Sequence, residues 1–479
     1  MFTPESYTIV ATLLPRLLGF IYLFAFGAFL FQIKGLIGKN GILPIGLYLT
    51  ALQSKYAYRA YRLAPTVFWF NSSDAALMGV VATGTALSIL LMFGIYPTLI
   101  LFILYFLYLS IIVAGQEFLC FGWEGFLLEI TVNAFFISLS TPPNLMVWIS
   151  INLLLFRFHL QAGAVKLQSR DPNWRNMTAL AYHYQTQPIP NVVAWYMHKL
   201  PLWFHKFSTV FMFIVELIMP FGIFGPDWMR LGTFGCLAGL QFVIWFTGNL
   251  SFLNHLTFVF CTILIANTYL MPWIAIPPME PAAWGVDTLC TVAGTLLIIL
   301  QCVQLWDHFV PNPLFSLWQN KISRYHFCNR YGIFAIMTTK RHEIIFEGSD
   351  DGVNWKEYTF YHKPSEITRR PRRISPYQPR LDWQAWFLPL GSYRYDNWMA
   401  NFIYHLLKGT PEVLALIRGN PFPDHPPKYV RTQIYEYVFS TPKEKKEHGW
   451  WWHRHLIGQF TAPSSLRTPI VHNPNQFRA

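Results

Sequence analysis

The sequence predicts a mainly α polytopic membrane bundle of about nine transmembrane helices, followed by a β-sandwich-like soluble C-terminal domain with a helical insertion. Three observations point there. Mean hydropathy is +0.31 and only 13% of the 479 residues are charged, against about a quarter in soluble proteins. Apolar runs near 20 residues, the length that crosses a bilayer, recur to about residue 306 and then stop. The charge divides at the same place. Residues 1–320 hold 13 Lys and Arg against 11 Asp and Glu, whereas residues 321–479 hold 23 against 13, so the tail carries most of the formal +12. The expected organisation is a transmembrane domain over 1–312, with interfacial loops 34–75 and 166–206, and a soluble, basic, β-rich domain over 313–479.

In chain order the spans fall at roughly 14–33, 76–93, 97–114, 118–139, 145–165, 207–224, 231–247, 254–271 and 286–306. The first is long enough to span and lacks a small-residue cleavage site, so it reads as a retained helix and not a signal peptide. Gly94–Pro97 makes a tight turn between the second and third. Trp148, Trp195, Trp203, Trp228, Trp273 and Trp284 lie near span ends, as interfacial tryptophans do. An odd number of spans puts loops 34–75 and 166–206 on the face that holds the tail. Lys34, Lys39, Lys55, Arg59 and Arg62 would make that face cytoplasmic by the positive-inside rule.

Charges at membrane depth cost roughly 2.5–3.5 kcal/mol each on insertion scales, so they mark candidate sites. Glu124, Glu129 and Asn133 share one apolar segment, and the last two are one helical turn apart. They could hold a proton or a cation, or simply glue helices together. Arg157, His159, Gln161 and Lys166 end another run. A desolvated Lys166 could act as base or nucleophile, or snorkel to the headgroups. Gly248 breaks a third run, where Asn249, Asn254 and His255 could line a polar pocket or cap the flanking helices. Glu216 stands alone in an apolar span. No nucleotide, nucleophile-elbow or paired Cys/His motif is present, and no metal or cofactor is expected.

In the tail, EIIFEG and WKEYTF read as strands around an SDDG turn, a pattern like that of discoidin-type sandwiches. The basic TRRPRRISPYQPR follows, then helical residues 395–418 interrupted at Lys408–Pro411, then paired strands at 428–440 and 450–460, with Trp450–Trp452 in the core. The basic tail fits lipid headgroups better than nucleic acid beside a membrane domain. Of six cysteines only Cys328 lies in the tail, which excludes an internal disulfide there.

Several stretches resemble one family, the lipase maturation factors. They are QIKGLIGKNGILP (32–44), FGWEGFLLE (121–129), RDPNWRNMTALAYHYQTQPIPN (170–191), TGNLSFLN (247–254), EIIFEGSDDGVNWKEYTF (343–360) and PRLDWQAWF (379–387). The resemblance implies a polytopic protein that helps secreted homodimeric lipases fold and assemble, in the endoplasmic reticulum of eukaryotes. It also implies a heavy face and C-terminal domain outside the cytoplasm, against the charge count. The lean loops resemble a bacterial-type member, which implies the bacterial inner membrane. A more distant likeness, in Ala162, Gly163, Lys166, Leu167 and Trp174, is to the vitamin K-dependent gamma-carboxylases, where the matching lysine is the base.

Two functions are therefore expected. The first is an assembly factor binding an exported, lipase-like client and membrane lipids, with His183, Tyr184, Gln187, Pro188, Pro190, Asn191, Asn249, Asn254 and His255 as contact residues. The alternative is a membrane-embedded enzyme acting on a lipid or quinone-like molecule through Lys166, His159, Glu124 and Glu129. In either, Pro188 and Pro190 hold an extended stretch, and an interfacial helix begins at Val192, anchored by Trp195, Tyr196 and Trp203.

Overall fold

In a computed structural model, residues 3–391 and 396–467 are described. Among the described residues, seven helices are long and apolar enough to cross a membrane: Pro4–Phe31, Asp74–Met92, Pro97–Leu119, Leu145–Gln168, Leu202–Phe224, Asp227–Thr247 and Trp284–Phe309. Their regular cores are α1 (Thr8–Gly27), α2 (Asp74–Met92), α3 (Pro97–Gly115), α5 (Leu145–Gln168), α8 (Leu202–Phe213), α9 (Asp227–Thr247) and α11 (Trp284–Phe309). Helix starts carry the expected signals. Ser73 accepts from the Ala76 N–H at 3.3 Å, Pro97 opens α3, and Asn144 accepts from the Met146 N–H at 2.9 Å.

Two of the nine expected spans are of another kind. The segment expected at 118–139 is α4 (Gly122–Ile137), and that expected at 254–271 is Leu253–Leu264, whose regular part is α10 (Leu253–Cys261). Both are too short to count as spans by length and composition. Glu124, Glu129 and Asn133 are tolerated in α4 because it is buried along nearly its whole length among other helices. Small residues allow that density. Gly294 of α11 lies so near the Met146 and Val147 backbone of α5 that a Cβ there would come within 2.6 Å.

The connection 166–206 forms α6 (Ala179–Thr186) and α7 (Val192–His198), with residues 187–191 non-helical between them. Trp195 differs from the interfacial anchor expected. It is buried against Trp451 of the C-terminal part, ring centroids 5.7 Å apart, while Tyr196 and Trp203 are exposed. The chain continues after α11 through α12 (Pro313–Ile322) into an irregular stretch at 326–340.

Among the described residues the C-terminal part contains one antiparallel sheet in the order β2-β1-β3-β4: β1 (Arg341–Ser349), β2 (Lys356–Glu357), β3 (Tyr429–Phe439) and β4 (Trp452–Ser464). Ile344 pairs with Ile434 in register. Where a sandwich was expected, a helix covers the face in place of a second sheet. Trp398, Phe402, Ile403 and Leu406 form one buried stripe of α14 (Asp396–Lys408), and Phe402 meets the Phe346 ring at 5.0 Å. Between the strands lies α13 (Arg380–Ala385). Trp452 stacks on Phe439 at 4.2 Å, inside as expected. One hydrophobic core runs continuously from Leu14 of α1 through Phe126 of α4 to Phe346 and Phe402.

Candidate functional site

The buried polar residues of the bundle fall into separate junctions. Glu129 and Glu124 are each met by residues from the C-terminal part, whereas Lys166 is paired within the bundle. Glu129 forms an ion pair with Arg157 of α5 and accepts from the Tyr331 hydroxyl. It also accepts from the backbone and side-chain N–H groups of Asn329, both at 2.8 Å. Arg157 in turn donates to the Asn329 carbonyl and to Gln304 Oε1 at 2.8 Å. Thus irregular backbone at 326–331 enters the bundle. It does so where protein surrounds it and where Glu129 and Arg157 bond to its backbone. Gly125 permits the approach, since a Cβ there would lie 2.6 Å from His326 Nδ1 and 2.8 Å from Asn329 Oδ1. His326 is half-buried, and burial holds its imidazole below the ordinary value.

Glu124 belongs to a second junction. Arg380 of α13 reaches it at 2.6 Å, Tyr108 donates to its other oxygen, and the guanidinium lies over the Phe29 ring at 4.6 Å. Gln378, two residues earlier, accepts from Trp123 Nε1 at 3.1 Å and Ser251 Oγ at 3.0 Å. Lys166 belongs to a third. Its ammonium donates to Glu216 at 2.7 Å and to the Ala162 carbonyl at 2.8 Å, and lies over Trp174. The residues of the alternative enzyme reading thus occupy separate ion pairs. His159 is buried on α5, its Nδ1 against the Leu155 carbonyl at 3.0 Å.

The QTQPIPN stretch forms the fourth junction. Gln187 donates to the Thr247 carbonyl at 3.0 Å, and Asn191 to the carbonyls of Phe246 and Gly248 at 3.1 and 3.2 Å while capping α7. Asn249 donates to the Ile189 and Arg372 carbonyls and accepts from the N–H groups of Ile374 and Ser375. The two sequence stretches 185–191 and 247–249 are therefore one hydrogen-bonded unit. Three carbonyls of that unit go to Arg341, the first residue of β1. Its buried guanidinium donates to the carbonyls of Gln185 at 3.0 Å, Gln187, and Pro188 at 2.8 Å, and to Glu343 at 2.6 Å. Lys363 completes the pair on Glu343 at 2.8 Å.

The other expected contact residues lie around this unit. Tyr184 is buried with its ring against His205, and burial pushes its hydroxyl up to about 12. His183 packs its ring edge on Phe334 at 4.9 Å, and burial, then the nearby Lys166 charge, push it down to about 4. Pro190 borders a small cleft with Lys363, Arg369 and Trp452. Asn254 donates to Gln241 at 2.9 Å, and His255 packs on Trp245, so these two stand apart from Asn249. Among the described residues no three His, Cys, Asp or Glu side chains converge as they would on a metal ion.

Between the junctions lies a cavity of about 440 Å³, walled by Phe121, Trp123, Phe158, Phe334, Trp383 and Trp386. Of the residues expected from sequence only Pro188 lines it. Ile336 and Leu390, both exposed, stand at its border. Its volume falls in the range of ligand sites, roughly 300–1,000 Å³. Sequence reasoning passed over Arg341, Arg380, Asn329 and Tyr331. The available signal was a charged residue at a strand start, in KRHEIIF, and one inside PRLDWQAWF.

A family model described as the lipase maturation factor transmembrane domain matches residues 9–271, and one described as the lipase maturation factor C-terminal domain matches residues 327–462. The chain is 33% identical over 512 residues to lipase maturation factor 1 of Mus musculus, covering 96% of this chain and 88% of that protein. It is 32% identical over 516 residues to lipase maturation factor 1 of Homo sapiens, with coverage of 96% and 88%. It is 29% identical over 583 residues to lipase maturation factor 2 of Rattus norvegicus, with coverage of 94% and 82%. No solved structure matches the chain.

Proposed function

The chain belongs to the lipase maturation factor family, and from that premise we propose that this multi-pass membrane protein assists the folding and assembly of an exported, lipase-like client. The observation that carries this reading is the seam. The loop 166–206, the 247–249 junction and the sheet are locked to the bundle as one surface, with an aromatic cavity in it. Such a surface can hold an apolar segment of a client before that segment finds its own core. The sequence holds no nucleotide-binding motif, so the action is holding by mass action. The enzyme reading lacks support, because Lys166 is bonded to Glu216 while Glu124 and Glu129 each have their own arginine.

The domains are a transmembrane unit over 1–312 and a β-rich unit over 313–479. Nine helical passes, counting α4 and α10, fit the contacts that bring helix ends together on one side. Asn267 donates to the Glu5 carbonyl, and Thr141 pairs with Glu280. The short interhelical loops favour a bacterial inner membrane, with the C-terminal part on the non-cytoplasmic side where an exported client folds. His183, Tyr184, Gln187 and Asn191 serve the client indirectly by holding the seam, and Pro188 touches it from the cavity wall.

The test is a cell lacking this chain that expresses a secreted lipase. Secreted lipase should lose specific activity at unchanged transcript level and regain it with the wild-type chain. Unchanged activity and abundance of every secreted lipase would overturn the proposal. A reporter active only in the cytoplasm, fused after Ala479, should be silent.

A further inference from the structure

A second pair of cavities, adjoining the aromatic one, has a different chemistry. One of about 720 Å³ lies between α4, α11 and α12, with Gln304, Gln319, Asn329 and Arg330 in its wall. The other, about 280 Å³, runs along α11 and α12 and is walled by Ile299, Leu300, Val303, Phe315 and Ile322. The two share Gln304, Gln319 and Cys328, so a polar chamber opens into an apolar slot.

Two residues in the chamber wall carry amide donors without partners. Gln304 Oε1 accepts from Arg157 at 2.8 Å and from Gln161 at 2.7 Å. Two donors on one atom fix that end of the amide as its oxygen. Its NH2 group is buried without a partner. Gln319 Oε1 accepts from Arg330 Nε at 3.2 Å, which likewise leaves its buried NH2 without a partner. The stretch 321–330 carries Lys321, Arg324, His326 and Arg330 and no acid. The nearby Asp307 carboxylate is taken up by Arg330 and the Asn312 N–H. An acceptor-only group with negative charge, a phosphate, suits two spare amides beside that basic stretch. The slot leads from it along α11, whose residues Leu289, Val292, Leu296 and Ile299 are exposed on a helix long enough to span. An apolar tail attached to that phosphate would lie there.

We infer that the chamber between α4, α11 and α12 holds the phosphate of one anionic membrane phospholipid, with an acyl chain in the slot at Val303. The site adjoins the aromatic cavity, with which it shares Cys120, Phe121, Gly122 and Arg330 in its wall.

The test uses the full chain, purified in detergent and stripped of lipid, with its unfolding midpoint read against added probe. Dioleoylphosphatidylglycerol should raise the midpoint saturably. Dioleoylglycerol, which lacks the phosphate, should need about tenfold more for the same shift. Inorganic phosphate alone should give none. Val303→Trp, which fills the slot, should abolish the phosphatidylglycerol shift. Gln319→Leu, which removes one donor and no apolar wall, should raise the half-saturating concentration about tenfold. Equal shifts with both lipids would overturn the inference, as would an unaltered response in Gln319→Leu. A full shift with inorganic phosphate would overturn the lipid and leave a small-anion site. If Val303→Trp does not fold, Gln319→Leu decides alone.

Discussion

Replacing Arg341 by Met tests the seam most directly. The side chain is buried and its guanidinium holds three backbone carbonyls, those of Gln185, Gln187 and Pro188, plus the Glu343 carboxylate. Methionine fills comparable volume but donates nothing, so the three carbonyls lose their donor and Glu343 keeps only Lys363. Removing one partner of a buried pair costs about 3–5 kcal/mol, and orphaned carbonyls about 1–3 kcal/mol each, without full additivity. A local loss near 3–5 kcal/mol is expected. Amide exchange at Gln185–Gln187 and Val192 reads that loss locally. At 1.4 kcal/mol per tenfold, exchange there should quicken by roughly two to three and a half powers of ten. Arg341→Lys, which keeps the charge but not the fork, should fall between. Exchange within about threefold of wild type in Arg341→Met, with the Ile344–Ile434 strand pairing intact, would refute the reasoning.

Other outcomes follow from the same contacts. Gly125→Val should force the 326–329 stretch away from α4, so half-buried Cys328, in a Cys120→Ser/Cys302→Ser background, should react with maleimide at least about tenfold faster; an unchanged rate would count against the close approach. Glu129→Gln leaves Arg157 buried without an anion and should cost about 3–5 kcal/mol, and combining Glu129→Leu with Arg157→Met should recover much of it, read by unfolding midpoint; additive losses would contradict a coupled pair. Burial places His183 at about 4 against an ordinary 6.5, so the folded form binds fewer protons than the unfolded one. Its stabilisation is complete above pH 6.5 and is lost as pH falls toward 4, by about 2 kcal/mol at pH 5, and His183→Phe should flatten that slope in a stability–pH curve.

Much of the fold was legible because it rests on local pattern. Long apolar runs have one stable answer in a bilayer, and seven of the nine expected spans appear as helices able to cross. The strands at 341–349, 429–439 and 452–464 followed from alternation and turn residues. Glu129 shows where pattern ran out. Its neighbour Asn133 could be placed on its helix face, but its partners Asn329 and Tyr331 lie about two hundred residues away. Lys166 likewise shared a helix with His159 yet pairs with Glu216, 50 residues on. Trp195 had the composition of an interfacial anchor and is covered instead by Trp451.

The sequence by itself determined the class of solvent each segment accepts, because hydropathy and charge act residue by residue. It also marked HYQTQPIPN and TGNLSFLN as unusual, since the prolines of the first and Gly248 of the second break a helix. Only the tertiary structure decided what those stretches do. Their amides and carbonyls find one another, and then Arg341, across gaps of sixty to about 155 residues. Buried polar groups must be matched, and in a folded chain the match is set by which surfaces pack together, not by spacing along the backbone.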